Sequence, residues 1–245
     1  TEEGKIVWDN QIMPELSLVD AKSAGAVQFR IKTLPQYPIR RFGDKNFILK
    51  VKAEIESPTV PQGAGISRTY SLQMLETKVV GSLVIDAKGF FRDAASGILN
   101  GGSLPLRAGQ GTQVTIHWLL RNYATDVSGV EARATLPDGV RFTGQSQSNF
   151  GAVPTYDEGS RQMVWNLSSI AANKGVIDQP LEAVFQVEVV PLPGMAGSYV
   201  PLLSETIVKA TDTFSGKELT ARDEALTSAL PDDPTIKPKD GVVHP

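Results

Sequence analysis

Run after run of this chain alternates apolar and polar residues with a period of two, and no stretch carries a helical period long enough to stand as a helix. In residues 113–120, Val114, Ile116, Trp118 and Leu120 share one face, while Thr115, His117 and Leu119 share the other. Residues 47–55 put Phe47, Leu49, Val51, Ala53 and Ile55 on one side. Residues 25–32 set Val27, Phe29 and Ile31 against Gln28, Arg30 and Lys32. The spans 5–9, 66–75, 78–91, 130–134, 163–167, 183–190 and 202–211 read as further strands. A strand with one apolar face must bury that face against a second layer, so the pattern predicts an all-β protein of packed antiparallel sheets.

The punctuation agrees. Leu136-Pro137-Asp138-Gly139-Val140 sets a turn between two apolar positions: proline fixes φ, and Asp-Gly supplies the turn and the left-handed conformer. Residues 57–65, rich in Pro and Gly, read as a loop or hairpin connection, and residues 144–160 as a polar loop. From Pro231-Asp232-Asp233-Pro234 onward the pattern ends, and residues 231–245 read as a Pro-rich linker or tail.

Composition excludes several classes. The net charge of −3 with scattered Lys and Arg gives no electrostatic footprint for nucleic acid. Nothing approaches 18 consecutive apolar residues, so this stretch of chain is expected to make no membrane contact. With no cysteine there is no disulfide, thiolate metal site or cysteine nucleophile.

An internal repeat sets the domain expectation. Val7-Trp8, the run ending Phe29-Arg30-Ile31-Lys32, a Pro-containing turn and Val51-Lys52-Ala53 form an ordered series. Val164-Trp165, Phe185-Gln186-Val187-Glu188, a Pro-Leu-Pro turn and Val208-Lys209-Ala210 repeat it. Trp8 to Trp165 and Lys52 to Lys209 are separated by the same number of positions, and Phe29 to Phe185 by one fewer. Residues 78–142 precede the second Trp strand and have no counterpart before the first. Residues 1–77 are therefore expected to be the C-terminal half of a repeat and residues 78–230 a complete one, in a piece of a longer array. A half sandwich leaves Trp8, Phe29, Ile31, Leu49 and Val51 uncovered on one face, forfeiting roughly 1.5–3 kcal/mol for each large side chain.

Gly111-Thr112-Gln113-Val114-Thr115-Ile116, Arg121-Asn122-Tyr123, Leu136-Pro137-Asp138-Gly139-Val140 and Val164-Trp165-Asn166-Leu167 resemble the conserved-repeat domains of bacterial and archaeal surface proteins. The match covers residues from about 105 to 215, and more weakly 5–56. His117-Trp118 and Tyr123 depart from the usual pattern of that family. The resemblance implies immunoglobulin-like β-sandwiches in tandem, the first partial, on an extracellular or cell-surface protein, with no catalytic residues to carry over.

Candidate chemistry is sparse. His117 has no second histidine near it, and with His244 in the tail a three- or four-ligand zinc site is not supplied, so His117 is read as a surface or inter-domain histidine. Asp157-Glu158, Asp212 with Glu218, Asp223-Glu224 and Asp232-Asp233 lack the alternating spacing of a calcium loop. Asp232-Asp233, between prolines, could help fix calcium at a domain junction, but a solvated linker is preferred. There is no Gly-x-Ser-x-Gly elbow and no phosphate-cradling loop. Asn166-Leu167-Ser168 satisfies the glycosylation sequon. Trp8, Trp118, Trp165 and Phe185 could be a sugar-stacking platform, but their periodicity points them inward. Tyr123, Phe150 and Tyr156, near the polar 145–149 loop, are the candidate binding surface.

The sequence thus predicts a non-enzymatic structural repeat without cofactor, acting as stalk or spacer beside neighbouring repeats. The alternatives are an adhesin module gripping a surface carbohydrate or protein, and a filament subunit completed by a strand from another chain.

Overall fold

The computed structural model describes residues 4–20, 22–60, 62–63 and 65–245. Positions 61 and 64 of the expected 57–65 connection, and residues 1–3 and 21, lie outside the described residues. The chain divides into two compact units, Thr1–Gln36 and Tyr37–Pro245.

In the first unit the expected strands at 5–9 and 25–32 are absent among the described residues. Those residues hold a 3-10 turn, Pro14–Ser17, and a tilted contact of Trp8 on Phe29 at 6.0 Å. Val27, Phe29 and Ile31 are exposed. Alternation prepares a strand but cannot make one without a neighbour to take its backbone hydrogen bonds.

The second unit begins with a two-stranded hairpin, β1 (Ile48–Ser57) and β2 (Thr69–Lys78). An antiparallel sandwich follows. One sheet has the order β3-β4-β9-β6, built from Ser82–Phe90, Thr112–Tyr123, Leu181–Val189 and Val140–Ser148. The other has the order β12-β11-β5-β8-β7, built from Glu218–Asp223, Thr206–Asp212, Val127–Thr135, Gln162–Ile170 and Thr155–Asp157. The short pair β10 (Pro201–Leu203) and β13 (Leu226–Thr227) completes it. This is the expected all-β, immunoglobulin-like architecture.

The core lies where the alternation puts it. Ile116, Trp118 and Leu120 of β4, Trp165 of β8, Phe185 and Val187 of β9 and Val208 of β11 are fully or almost fully buried. Trp118 meets Phe185 edge-on at 4.9 Å, and the Trp118 indole N–H donates to Thr206 Oγ1 at 3.2 Å. Trp165 donates to the Ala152 carbonyl at 2.7 Å. Both large rings therefore bury their apolar bodies with the polar atom satisfied, which is how tryptophan is accommodated in a core. The Leu-Pro-Asp-Gly turn joins β5 to β6 with Gly139 at φ 80, a conformation glycine adopts without strain.

Two expectations are corrected here. The polar loop at 144–160 is strand β6 as far as Ser148, paired to β9 across an irregularity between Phe142 and Ser146. Its outward side chains are polar because that face is not core. The linker or tail at 231–245 is packed on the sandwich. Val243 is 1% exposed, His244 N–H donates to the Leu106 carbonyl, and Ser228 Oγ donates to the Gly241 carbonyl at 2.6 Å.

Candidate functional site: a histidine between two carboxylates

Alternation along β4 sends Thr115 and His117 to the outer face of the four-stranded sheet. That face is not open. Residues 91–104, the connection from β3 to β4, cross it and cover His117, which is 5% exposed. The expected surface histidine is thus a buried one, because a connection folds back over the outer face of its own sheet.

The ring is held from both sides. Nδ1 lies 2.7 Å from Glu182 Oε1 on β9, and Nε2 lies 2.6 Å from Asp93 Oδ2 on the crossing segment. Each ring nitrogen thus faces one carboxylate oxygen. Phe90 stands edge-on to the ring at 5.0 Å. Lys88 is opposite His117 in the β3–β4 register, with Asp86 and Asp232 at 3.4 and 3.8 Å from its ammonium.

Asp93 collects a network. Its Oδ1 accepts the Ser96 N–H at 3.2 Å, and its Oδ2 accepts the Thr115 hydroxyl at 2.8 Å. Burial pushes its carboxyl up, but hydrogen bonds from Ser96, His117 and Thr115 outweigh this and hold it at about 2. Asn100 Nδ2 donates to the Phe90 and Phe91 carbonyls, and Gln186 Nε2 to the Leu99 carbonyl and Asn100 Oδ1. Gln147 Nε2 donates to the Ser96 carbonyl at 2.8 Å. The layer between segment and sheet is therefore polar and mutually satisfied, fixing the segment in one position. With both ring nitrogens and the Thr115 hydroxyl engaged, the cluster acts as a clamp. Among the described residues no group of three His, Asp or Glu side chains is placed to hold a metal ion.

A second polar anchor sits at the other end of the chain. Asp233 is 2% exposed and accepts the N–H groups of Phe91 and Arg92 at 2.9 and 3.0 Å, as well as the N–H and hydroxyl of Thr235. Burial raises its carboxyl, and hydrogen bonds from Arg92, Thr235 and Phe91 bring it below the usual range. The pair read as a solvated linker is half anchor, with Asp232 exposed beside Lys88. The Asp-Pro-Thr order is the available sign, since an aspartate that hydrogen-bonds two residues ahead makes an Asx turn.

A third anchor holds residues 37–47. Asn173, fully buried, donates from Nδ2 to the carbonyls of Arg41, Phe42 and Asp44, and accepts the Ala124 N–H on Oδ1. Lys45 pairs with Asp126 at 2.6 Å, and the Asn46 N–H donates to the Ala124 carbonyl. Asn173 sits at φ 64, a left-handed conformation that asparagine tolerates better than most residues.

Among the described residues no ring contact joins Tyr123, Phe150 and Tyr156 of the expected binding surface to one another. Tyr123, half-buried at the end of β4, is covered by Tyr37 stacked at 6.4 Å. Tyr156 pairs with Met163 near the opposite end of the five-stranded sheet and lies 6.0 Å from Phe142. Phe150 is half-buried against the core. Of the four rings weighed as a platform, Trp118, Trp165 and Phe185 are core, while Trp8 is half-buried in the first unit. Asn166 of the sequon is exposed on the outer face of β8. It borders an open depression of about 400 Å³ with Gly129, Glu131, Ser168 and Lys209.

No protein family and no curated protein matches the sequence. Among solved structures, the chain is similar to the major pilin subunit of Bacillus cereus, at 14% identity over 69% of this chain and 52% of that one, with a TM-score of 0.38. The alignment thus spans about half the length of that pilin. The full-length major pilin SpaD from Corynebacterium diphtheriae matches at 13% identity over 69% of this chain and 39% of that one, with a TM-score of 0.36. BslA, a bacterial hydrophobin, matches at 12% identity over 60% and 95%, with a TM-score of 0.29.

Proposed function

We propose that this chain is a non-enzymatic structural repeat of a large secreted or cell-surface protein, a stalk or spacer whose partners are neighbouring repeats. The observation that supports it is that the sandwich is fastened at both points where the chain joins it. On the incoming side, Asn173 and Asp126 hold residues 41–45, and Asp212 accepts the Gly81 N–H at 2.9 Å. On the outgoing side, Asp233 ties residues 231–235 to the end of β3, and Val243 and His244 donate to Ser198 and Leu106. A module that transmits force or fixes spacing needs its joints stiff, and buried hydrogen-bonded polar groups supply stiffness; on the incoming side Asn46 Oδ1, Asn122 Oδ1 and Thr125 Oγ1 are buried without a partner. This is a function of geometry and not of a reacting site.

A filament subunit completed by a strand from another chain is the second reading, and the exposed β1–β2 hairpin favours it. An adhesin would need exposed aromatic side chains gathered on one surface, whereas Tyr123, Phe150 and Tyr156 are half-buried. The discriminating experiment is a screen of the full chain against glycan and matrix-protein arrays. The spacer reading expects no saturable binding. Saturable binding that Tyr156→Ala weakens would replace it with the adhesin reading.

A further inference from the structure

The β1–β2 hairpin is amphipathic in a specific way. Residues directly opposite each other in an antiparallel pair share a face. One face carries Leu49, Val51, Ala53 and Ile55 with Thr77, Leu75, Gln73 and Ser71, and it bears no charge. The other carries Lys50 with Glu76 at 2.7 Å, and Lys52, Glu54 and Glu56 beside Met74, Leu72 and Tyr70. The uncharged face is uncovered: Leu49 is 47%, Ile55 72% and Leu75 62% exposed.

One member of the internal repeat, Val51-Lys52-Ala53 against Val208-Lys209-Ala210, lies in this hairpin, while the members at residues 7–8 and 29–32 are not strands. With Lys52 matched to Lys209, the positions Leu49, Val51, Ala53 and Ile55 fall on Thr206, Val208, Ala210 and Asp212. Those four are the inward positions of β11, at 0%, 0%, 3% and 0% exposure. β11 is likewise hairpinned to its following strand, and Val51 opposite Leu75 corresponds to Val208 opposite Ala221. The exposed face of β1–β2 is thus the counterpart of the face that β11–β12 buries.

What covers β11–β12 is visible in the same molecule. β5 pairs along the free edge of β11, and β3 lies against both β11 and β12. The inner positions of β3 are Leu83, Ile85 and Ala87, all buried and uncharged. Among the described residues, β1 has no strand on its other edge.

We infer that the β1–β2 hairpin is the back half of a repeat whose cover is the front half of another repeat, a pair of sheets equivalent to residues 78–142 presenting an uncharged inner face and a free edge equivalent to β5. The inference rests on the structural-repeat reading and names the partner that reading leaves open.

The partner's chemistry can be read further. In the complete sandwich, Thr206 accepts from the Trp118 indole and Asp212 accepts from the Gly81 N–H. Leu49 and Ile55 stand at those positions in β1, and their side chains have no acceptor to offer. The matching front half therefore has, where Trp118 stands, a side chain without a donor to place. A front half identical to residues 78–142 would leave that indole N–H unpaired, at the cost of a buried unsatisfied donor.

The test joins a duplicate of residues 78–157 ahead of residue 1 of the full chain, which keeps the repeat in register. It is made with the natural hairpin and with the pair of substitutions Leu49→Thr and Ile55→Asp, and the unjoined full chain of each sequence serves as control. Amide hydrogen exchange over residues 48–57 is read. Joining is expected to slow exchange by at least tenfold, and by more in the chain carrying Leu49→Thr, where a hydroxyl is restored as acceptor for the indole. Protection in either joined chain supports the inference. Unchanged exchange in both overturns it. The sandwich of residues 79–245 and its anchors are untouched by the joining, so this outcome leaves the spacer reading to be judged by its own tests.

Discussion

Replacing Asp93 by Asn isolates the clamp that fixes residues 91–104 over the four-stranded sheet. The Asp93 side chain is 3% exposed and its carboxyl is held at about 2, against an ordinary aspartate value near 4. A carboxyl depressed in the folded state contributes stability that is fully present above its unfolded value. That contribution is lost as the pH falls through the folded one, here from about pH 4 to about pH 2. The difference corresponds to about 2 kcal/mol. The amide of the variant keeps one acceptor for His117 and turns a donor toward Thr115 or the Ser96 N–H. Urea unfolding followed by the fluorescence of the buried Trp118 and Trp165 measures the effect in both chains. At pH 6.5 Asp93→Asn is expected to be about 2 kcal/mol less stable, and the gap is expected to close toward zero near pH 2. A gap of the same size at both pH values would refute the electrostatic account and leave only a packing change.

Two further substitutions test other parts of the structure. Asn173→Gly keeps the left-handed backbone at φ 64 while removing the amide that serves Arg41, Phe42 and Asp44; it should cost about 1–3 kcal/mol and speed exchange in residues 41–46, read by hydrogen exchange. Phe185→Ala removes a fully buried ring packed edge-on against Trp118, and should lower the unfolding free energy of the sandwich by about 3–5 kcal/mol in the same urea assay.

The strands at the centre of the sandwich are legible in the sequence because their two faces differ. In β4, β8, β9 and β11 the inward positions are mostly apolar, as at Ile116, Trp118, Trp165, Phe185 and Val208, so the period marks the core face. The outer faces of β4 and β9 are buried as well at Thr115, His117, Val184 and Gln186. β6 is hidden because its second half, Gly144-Gln145-Ser146-Gln147-Ser148, is polar throughout and is held by pairing to β9. Residues 25–32 show the converse: their alternation is clean, yet no neighbouring strand takes their hydrogen bonds among the described residues. The side-chain clusters are illegible for a further reason. His117, Asp93 and Glu182 lie far apart in sequence and meet only because residues 91–104 fold back over their own sheet. Asp233 has the look of a charged tail, although the Asp-Pro-Thr turn around it is readable.

The claim that this sandwich is a stiff, force-transmitting unit is tested most directly by pulling the full chain from its two ends in a single-molecule force experiment. Residues 1–40 are expected to extend first at low force, and residues 41–78 only when the anchor on residues 41–45 yields. A single cooperative rupture should follow, releasing roughly 60 nm as residues 79–245 unravel at about 3.5 Å per residue. Gradual yielding of residues 79–245 at low force, without a discrete rupture, would contradict it.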